Sequence, residues 1–204
     1  MACRLYLVRH GETAWNAEMK FQGHSNVPLS ERGRNQARLL ARRLSKNKIT
    51  AFYASDLQRA YETAKILAEP HGLPVETLDS LREMNFGAWE GLTMKEIWER
   101  CGDLAARWWG DPLNICVPEG ETLQDLAFRV NKVINWITQR YMHRQEVVLV
   151  SHGGPIRIII ATILGMDLNF YWRLQLDNAC VNIIDFKELN KNILVLFNDC
   201  SHLE

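Results

Sequence analysis

Apolar runs and amphipathic stretches alternate along this chain, the pattern of an α/β fold with a largely parallel sheet. CRLYLV (3–8) predicts a first strand. LSERGRNQARLLARRLSK (29–46) predicts a helix, with Ala37, Leu40, Ala41 and Leu44 on one face and Ser30 placed to cap it. ITAFYAS (49–55) predicts a second strand. It runs into a helix within SDLQRAYETAKILAEPHG (55–72), where Ser55 and Gln58 have capping-box spacing and Pro70 and Gly72 close the end. LPVETL (73–78) predicts a short third strand.

The stretch 81–122, rich in Trp, Gly and Pro, breaks this rhythm. It predicts short helices mixed with loops, an excursion from the sheet within one domain. Thr122 and Asp125 then start a long helix whose buried stripe is Leu126, Val130, Val133 and Ile137. EVVLVS (146–151) predicts the most apolar strand, followed by a helix in HGGPIRIIIATILG with Pro155 at its first position. NACVNIIDF and NILVLFND predict a closing strand pair joined by KELNKN.

A chain of 204 residues suits one domain with a sizeable core. Lys plus Arg and Asp plus Glu are 24 each, so the basic excess of a general nucleic-acid binder is missing. No apolar run reaches membrane-span length, and MACRLYLVRH lacks the apolar core of a signal peptide. Five scattered cysteines without a C-x-x-C pair argue against a disulfide framework or structural zinc, and for reduced thiols in a cytoplasmic protein. A homodimer is compatible with this size.

The chemistry lies at predicted strand ends. Arg9 and His10 end the first strand, Arg59 opens the helix after the second, Glu83 follows the third, and His152 ends the strand 146–151. Ligands of open α/β sheets bind outside the carboxyl ends of strands, so these residues converge. Two guanidiniums match a phosphate or a carboxylate. A divalent metal is disfavoured because Arg9 and Arg59 repel a cation, and no H-E-x-x-H spacing, P-loop or G-x-G-x-x-G is present. No cofactor is expected.

LVRHGETAWN (7–16) resembles the Arg-His-Gly signature of the histidine phosphatase superfamily, the phosphoglycerate mutase-like proteins. FQGHSNVPLSERGRNQA, ASDLQRAYETA, LREMNFGAWEG, PEGET and VSHGGPIR extend the resemblance in family order along nearly the whole chain. It implies a three-layer, phosphoglycerate mutase-like sandwich over 1–204, with an inserted cap-like segment about 84–121. It implies His10 as the nucleophile of a phosphohistidine route and Glu83 as general acid, then base. Arg9, Arg59 and His152 would bind phosphoryl oxygens. Asn16, Gln22, Gly23 and Gly153 would complete the phosphate site. Glu12 is read as structural. The Arg charges should keep His10 neutral and nucleophilic.

The phosphoglycerate mutase branch follows its acid with Arg-His-Tyr-Gly, whereas Met84, Asn85, Phe86 and Gly87 follow Glu83 here. Two candidate partners for a substrate carboxylate are thereby lost, which favours a phosphatase of small phosphomonoesters. LREMNFGAWEG and the ending LFNDCSHL are most similar to bacterial α-ribazole phosphatases of cobalamin assembly. Phosphoserine or broad-specificity phosphatases are the alternatives. Trp108, Trp109 and Met94 are candidates for an apolar surface against a base, although packing is the simpler role for Trp89, Trp108 and Trp109. His24, His71, His143 and His202 read as surface or loop residues.

Overall fold

The computed structural model describes residues 3–141, 145–187 and 191–204. Six strands form one sheet: β1 (Cys3–Arg9), β2 (Ile49–Ala54), β3 (Val75–Thr77), β4 (Gln145–Ser151), β5 (Val181–Phe186) and β6 (Ile193–Asp199). Their order is β3-β2-β4-β1-β5-β6. The β3–β2, β2–β4 and β4–β1 pairs are parallel, and β5 runs antiparallel to both neighbours. One strand is thus reversed in an otherwise parallel sheet. The expected closing pair is β5 and β6. Residues 188–190 of its connection lie outside the described residues, as does His143.

The central strands are apolar along their middles, Leu5–Val8 in β1 and Val147–Val150 in β4, because both faces are covered there. Leu5, Leu7, Val147 and Leu149 join a core with helices α5 (Leu123–Arg140) and α6 (Gly153–Leu164). Tyr6, Val8, Val148 and Val150 join a second core with α2 (Glu31–Leu44) and α3 (Gln58–Ala68). The result is the expected three layers. A short helix, α1 (Ala14–Ala17), follows the signature stretch. All five cysteines are free. Among the described residues no helix is long and apolar enough to cross a membrane.

Local signals place most elements well. Ser30 caps α2 through the Gly33 N–H, and its predicted stripe is buried. Thr122 and Asp125 form the capping box of α5, and its stripe is buried too. Three details differ. Ser55 and Gln58 make no capping box: α3 is capped by Leu57, and the Gln58 N–H finds Asn26 Oδ1 at 2.8 Å, a partner far away in sequence. Pro155 is the third helical residue of α6, because His152 is its N-cap. The excursion holds a long helix, α4 (Met94–Gly110), started by a Thr93–Glu96 capping box and kinked at Cys101 (φ −151°, ψ 50°). Trp89, Ile97, Trp108 and Val117 bury this stretch in the same core as α5 and α6.

Candidate active site

Sheet register brings the two histidines together. Arg9 pairs with Ser151, so His10 and His152 leave neighbouring strands at the same end, with ring centroids 5.1 Å apart. His10 is 2% exposed, and its Nδ1 lies 2.7 Å from the Gly11 carbonyl. That bond places the proton on Nδ1 and leaves Nε2 with a free lone pair. The backbone of His10 is fixed as well: its N–H donates to Ser151 O, and its carbonyl accepts from the Ala179 N–H. Gly11 is a packing requirement, since a Cβ there would stand 2.4 Å from the Gly33 carbonyl oxygen.

Arg59 projects from the first turn of α3 and is fully buried. Its Nη1 and Nη2 donate to the Ser25 and Gly23 carbonyls, each at 2.7 Å. Glu90 holds that loop by accepting from the His24 and Ser25 N–H groups. Gly23 has φ +49°, and a Cβ there would lie 1.9 Å from Glu90 Oε1, so no other residue fits without a shift. Thr63 ties α3 to the signature, donating to Arg59 O and accepting from the Gly11 N–H. Arg9 donates to Leu176 O.

The Nε atoms of Arg9 and Arg59 and both ring nitrogens of His152 are buried without a protein partner. Buried polar groups left unmatched are costly, and the concentration of unmatched N–H donors around His10, two from the arginines and one from the His152 ring, describes a site built for an anion. Asn16 and Gln22 fit this design. Asn16 Oδ1 accepts from the Thr13 N–H and Gln22 Oε1 lies 3.0 Å from Thr13 Oγ1, so each turns its NH₂ into a spare donor. Gly153 opens α6 and lines the same cavity, where its backbone N–H is a further donor, the Gly154 N–H being taken by Glu83.

Electrostatics follow from this burial. Burial, with the charges of Arg59 and Arg9, holds the His10 imidazole well below its ordinary value. Burial, Arg59 and His10 do the same to His152. Both rings are therefore neutral at pH 7, as expected for His10. Burial pushes the Arg59 guanidinium down to about 10, so it stays charged.

Glu83 faces the same cavity. Its Oε1 accepts from the N–H groups of Met84 (2.8 Å) and Gly154 (3.0 Å). Its carbonyl accepts from Arg129 Nη2 and lies 2.9 Å from His24 Nε2. Ser151 Oγ donates to Leu81 O, fastening this stretch to the end of β4. His24, read from the sequence as a surface or loop residue, lies in a turn, half-buried, and supports the site. Glu12 is structural, paired with Arg32 and bonded to Ser30 and Gln36.

The cavity measures about 220 Å³ and is lined by Arg9, His10, Asn16, Gln22, Arg59, Glu83 and Gly153. Its remaining wall includes Phe21, Phe86, Gly154, Arg157, Tyr171 and Trp172. Gly23 and His152 stand just outside this lining, supporting Arg59 and His10. Arg157, Tyr171 and Trp172 escaped the sequence reading. Arg157 alone left a signal, as the one charge in the apolar helix PIRIIIATIL. Trp108 is fully buried, and neither Trp109 nor Met94 lines the cavity. Trp109 instead stacks on Trp172 (5.7 Å, 9°). A larger cleft of about 710 Å³, beside α3 and Val75, contains none of the predicted residues. Among the described residues no group of three or more His, Cys, Asp or Glu is arranged to hold a metal ion.

Comparisons with known proteins agree with this geometry. The family model of the histidine phosphatase superfamily (branch 1) matches residues 5–199. The chain is 36% identical over 200 residues to phosphoserine phosphatase 1 of Hydrogenobacter thermophilus, covering 98% of this chain and 94% of the relative. It is 31% identical to the adenosylcobalamin/alpha-ribazole phosphatase of Escherichia coli, covering 95% of each chain. The crystal structure of the alpha-ribazole phosphatase from Shigella flexneri superposes with a TM-score of 0.87 at 31% identity, over 97% of this chain and 96% of that one. With its fold, its anion site and these relatives in agreement, the chain belongs to the histidine phosphatase superfamily and is a hydrolase of phosphate monoesters.

Proposed function

We propose that this enzyme cleaves a small phosphomonoester through a phosphohistidine on His10. The observation that carries the reading is the ring of unpartnered Arg9, Arg59 and His152 nitrogens around a neutral His10 whose Nε2 is free. Arg9 and Arg59 hold the phosphoryl oxygens, with Asn16, Gln22 and the α6 N-terminus as further donors. His10 Nε2 attacks phosphorus in line and the P–O ester bond breaks. Glu83 gives its proton to the leaving alkoxide. The Glu83 carboxylate next takes a proton from water as that water attacks the phosphohistidine, and inorganic phosphate leaves with His10 restored. Phosphate brings the negative charge that favours His152 in its charged form, as a further donor.

Two leaving groups compete. The sequence points to α-ribazole 5′-phosphate, and Phe21, Phe86 and Trp172 offer an aromatic wall to its base. The 36% identity over 200 residues to a relative named phosphoserine phosphatase 1 favours the smaller alcohol. Phosphoserine is therefore our first substrate and α-ribazole 5′-phosphate the second. The test compares kcat/KM for both esters and an aryl phosphate, with acid-labile phosphoenzyme trapped in parallel. His10→Ala should lower kcat by about 10⁴-fold or more and abolish the trapped species. Full activity in His10→Ala would sink the mechanism, and a large preference for α-ribazole 5′-phosphate would reverse the order of substrates.

A further inference from the structure

Charges around the cavity do not balance once phosphate is seated. Arg9 and Arg59 match a phosphate dianion, and a His152 charged by that phosphate only adds to the positive excess. Lys20 is already paired with Glu18 at 2.6 Å. Glu83 must carry a proton to act as the acid, and then contributes no charge. Arg157 remains. It projects from α6 into the same cavity, five residues after His152. Its Nε donates to Leu174 O at 2.7 Å, and its guanidinium lies over the Trp172 ring, 4.9 Å from the centroid. Among the described residues its Nη1 and Nη2 donate to no acceptor, and no carboxylate lies within ion-pair distance. The bond and the ring fix the plane of the fork while leaving its two outer nitrogens free. A planar guanidinium held this way matches a carboxylate in bidentate fashion.

Position supports the match. A Cβ built on Gly153 would lie 2.8 Å from Arg157 Nη1 and 3.7 Å from Glu83 Oε2. The fork and the proposed acid therefore flank the same glycine. Glu83 meets the ester oxygen, so Arg157 stands beside the leaving group. Tyr171 and Trp172 line the cavity next to it.

We propose that Arg157 is a specificity-determining residue that binds a carboxylate on the leaving group, making the substrates phosphate esters of small hydroxy acids or hydroxy amino acids. This rests on the phosphatase reading above. It supplies from α6 the carboxylate partner that Met84 and Asn85 cannot offer after the catalytic acid.

The test uses L-phosphoserine, phosphoethanolamine and an aryl phosphate. Phosphoethanolamine keeps the ester and the amine but lacks the carboxylate. Wild type should prefer phosphoserine over phosphoethanolamine by at least tenfold. Arg157→Gln should lower kcat/KM for phosphoserine by about 10²-fold, mainly through KM, and for the other two by less than tenfold. Arg157→Lys, which keeps the charge but loses the fork, should fall between. Equal losses on all three substrates would mean that Arg157 only braces Trp172 and Leu174, and would overturn the inference. So would a wild type indifferent to the carboxylate while hydrolysing the aryl ester through His10. Absence of His10-dependent hydrolysis of any ester would instead overturn the phosphatase reading, and this inference with it.

Discussion

The two ends of the active site are built differently. The phosphate end consists of strand ends and helix starts: Arg9 and His10 after β1, Arg59 in α3, and His152 capping α6. His10, Arg59 and His152 are buried and Arg9 is half-buried; backbone carbonyls hold the side chains of Arg9, His10 and Arg59. The leaving-group end is assembled from side chains of separate segments. Phe21 and Phe86 come from loops, Arg157 from the side of α6, and Tyr171 and Trp172 from a 3₁₀ stretch. Its aromatics pack edge to face, stacked or tilted, with Trp109 at the exposed rim (41%). One end gathers buried donors suited to an anion; the other is lined by side chains brought together from separate segments.

Glu83 joins the ends, so after loss of His10 its removal should have the largest effect. Glu83→Gln is expected to lower kcat for phosphoserine by about 10³-fold. For an aryl phosphate, whose leaving group needs little protonation, the loss should be under tenfold. Equal losses on the two esters would remove Glu83 from the acid role. Gly11→Ala attacks the phosphate end through packing alone. Its Cβ would meet the Gly33 carbonyl at 2.4 Å, and a stability loss of about 1–3 kcal/mol is expected in urea unfolding. An unchanged midpoint would show that α2 yields easily there.

Acidification should weaken the same end. His10 and His152 are held well below their ordinary value by burial and by Arg59 and Arg9. The unfolded chain binds protons near pH 6.5, where the folded chain does not. The stabilisation from each neutral ring is thus complete above about pH 6.5 and is lost as pH falls below it, by about 1.4 kcal/mol per pH unit per group. Unfolding free energies at pH 7.5 and 5.0 should differ in this sense, and His152→Gln should reduce the slope. The smallest effect belongs to the open end. Trp109→Ala removes the stack on Trp172, and a loss of about 0.5–1.5 kcal/mol should appear as a few-fold rise in KM with kcat unchanged. A larger fall in kcat would show that the rim also orders the catalytic groups.

This asymmetry also explains what could be read in advance. The phosphate end was legible because strand ends and helix starts leave local marks. An apolar run stopping at Arg9 and His10, and another at His152, locates a ligand site in any parallel sheet. His24 left no mark. Its contact with the Glu83 carbonyl depends on a loop returning from another part of the chain. The Ser55–Gln58 spacing misled for a similar reason, since Asn26 took the N–H that a local cap would have held.

The sequence by itself determined the α/β architecture, the caps of α2 and α5, and the placement of Arg9, His10, Arg59, Glu83 and His152 at strand ends and helix starts. These follow from residue periodicity, capping chemistry and charge at strand ends, all short-range rules. Only the tertiary structure decided which residues surround the leaving group. Register between β1 and β4 set the His10–His152 pair, and packing of the 3₁₀ stretch against α4 and α6 set Trp172 beside Arg157. Those contacts join residues distant in sequence, and no local pattern encodes them because long-range packing alone chooses the partners.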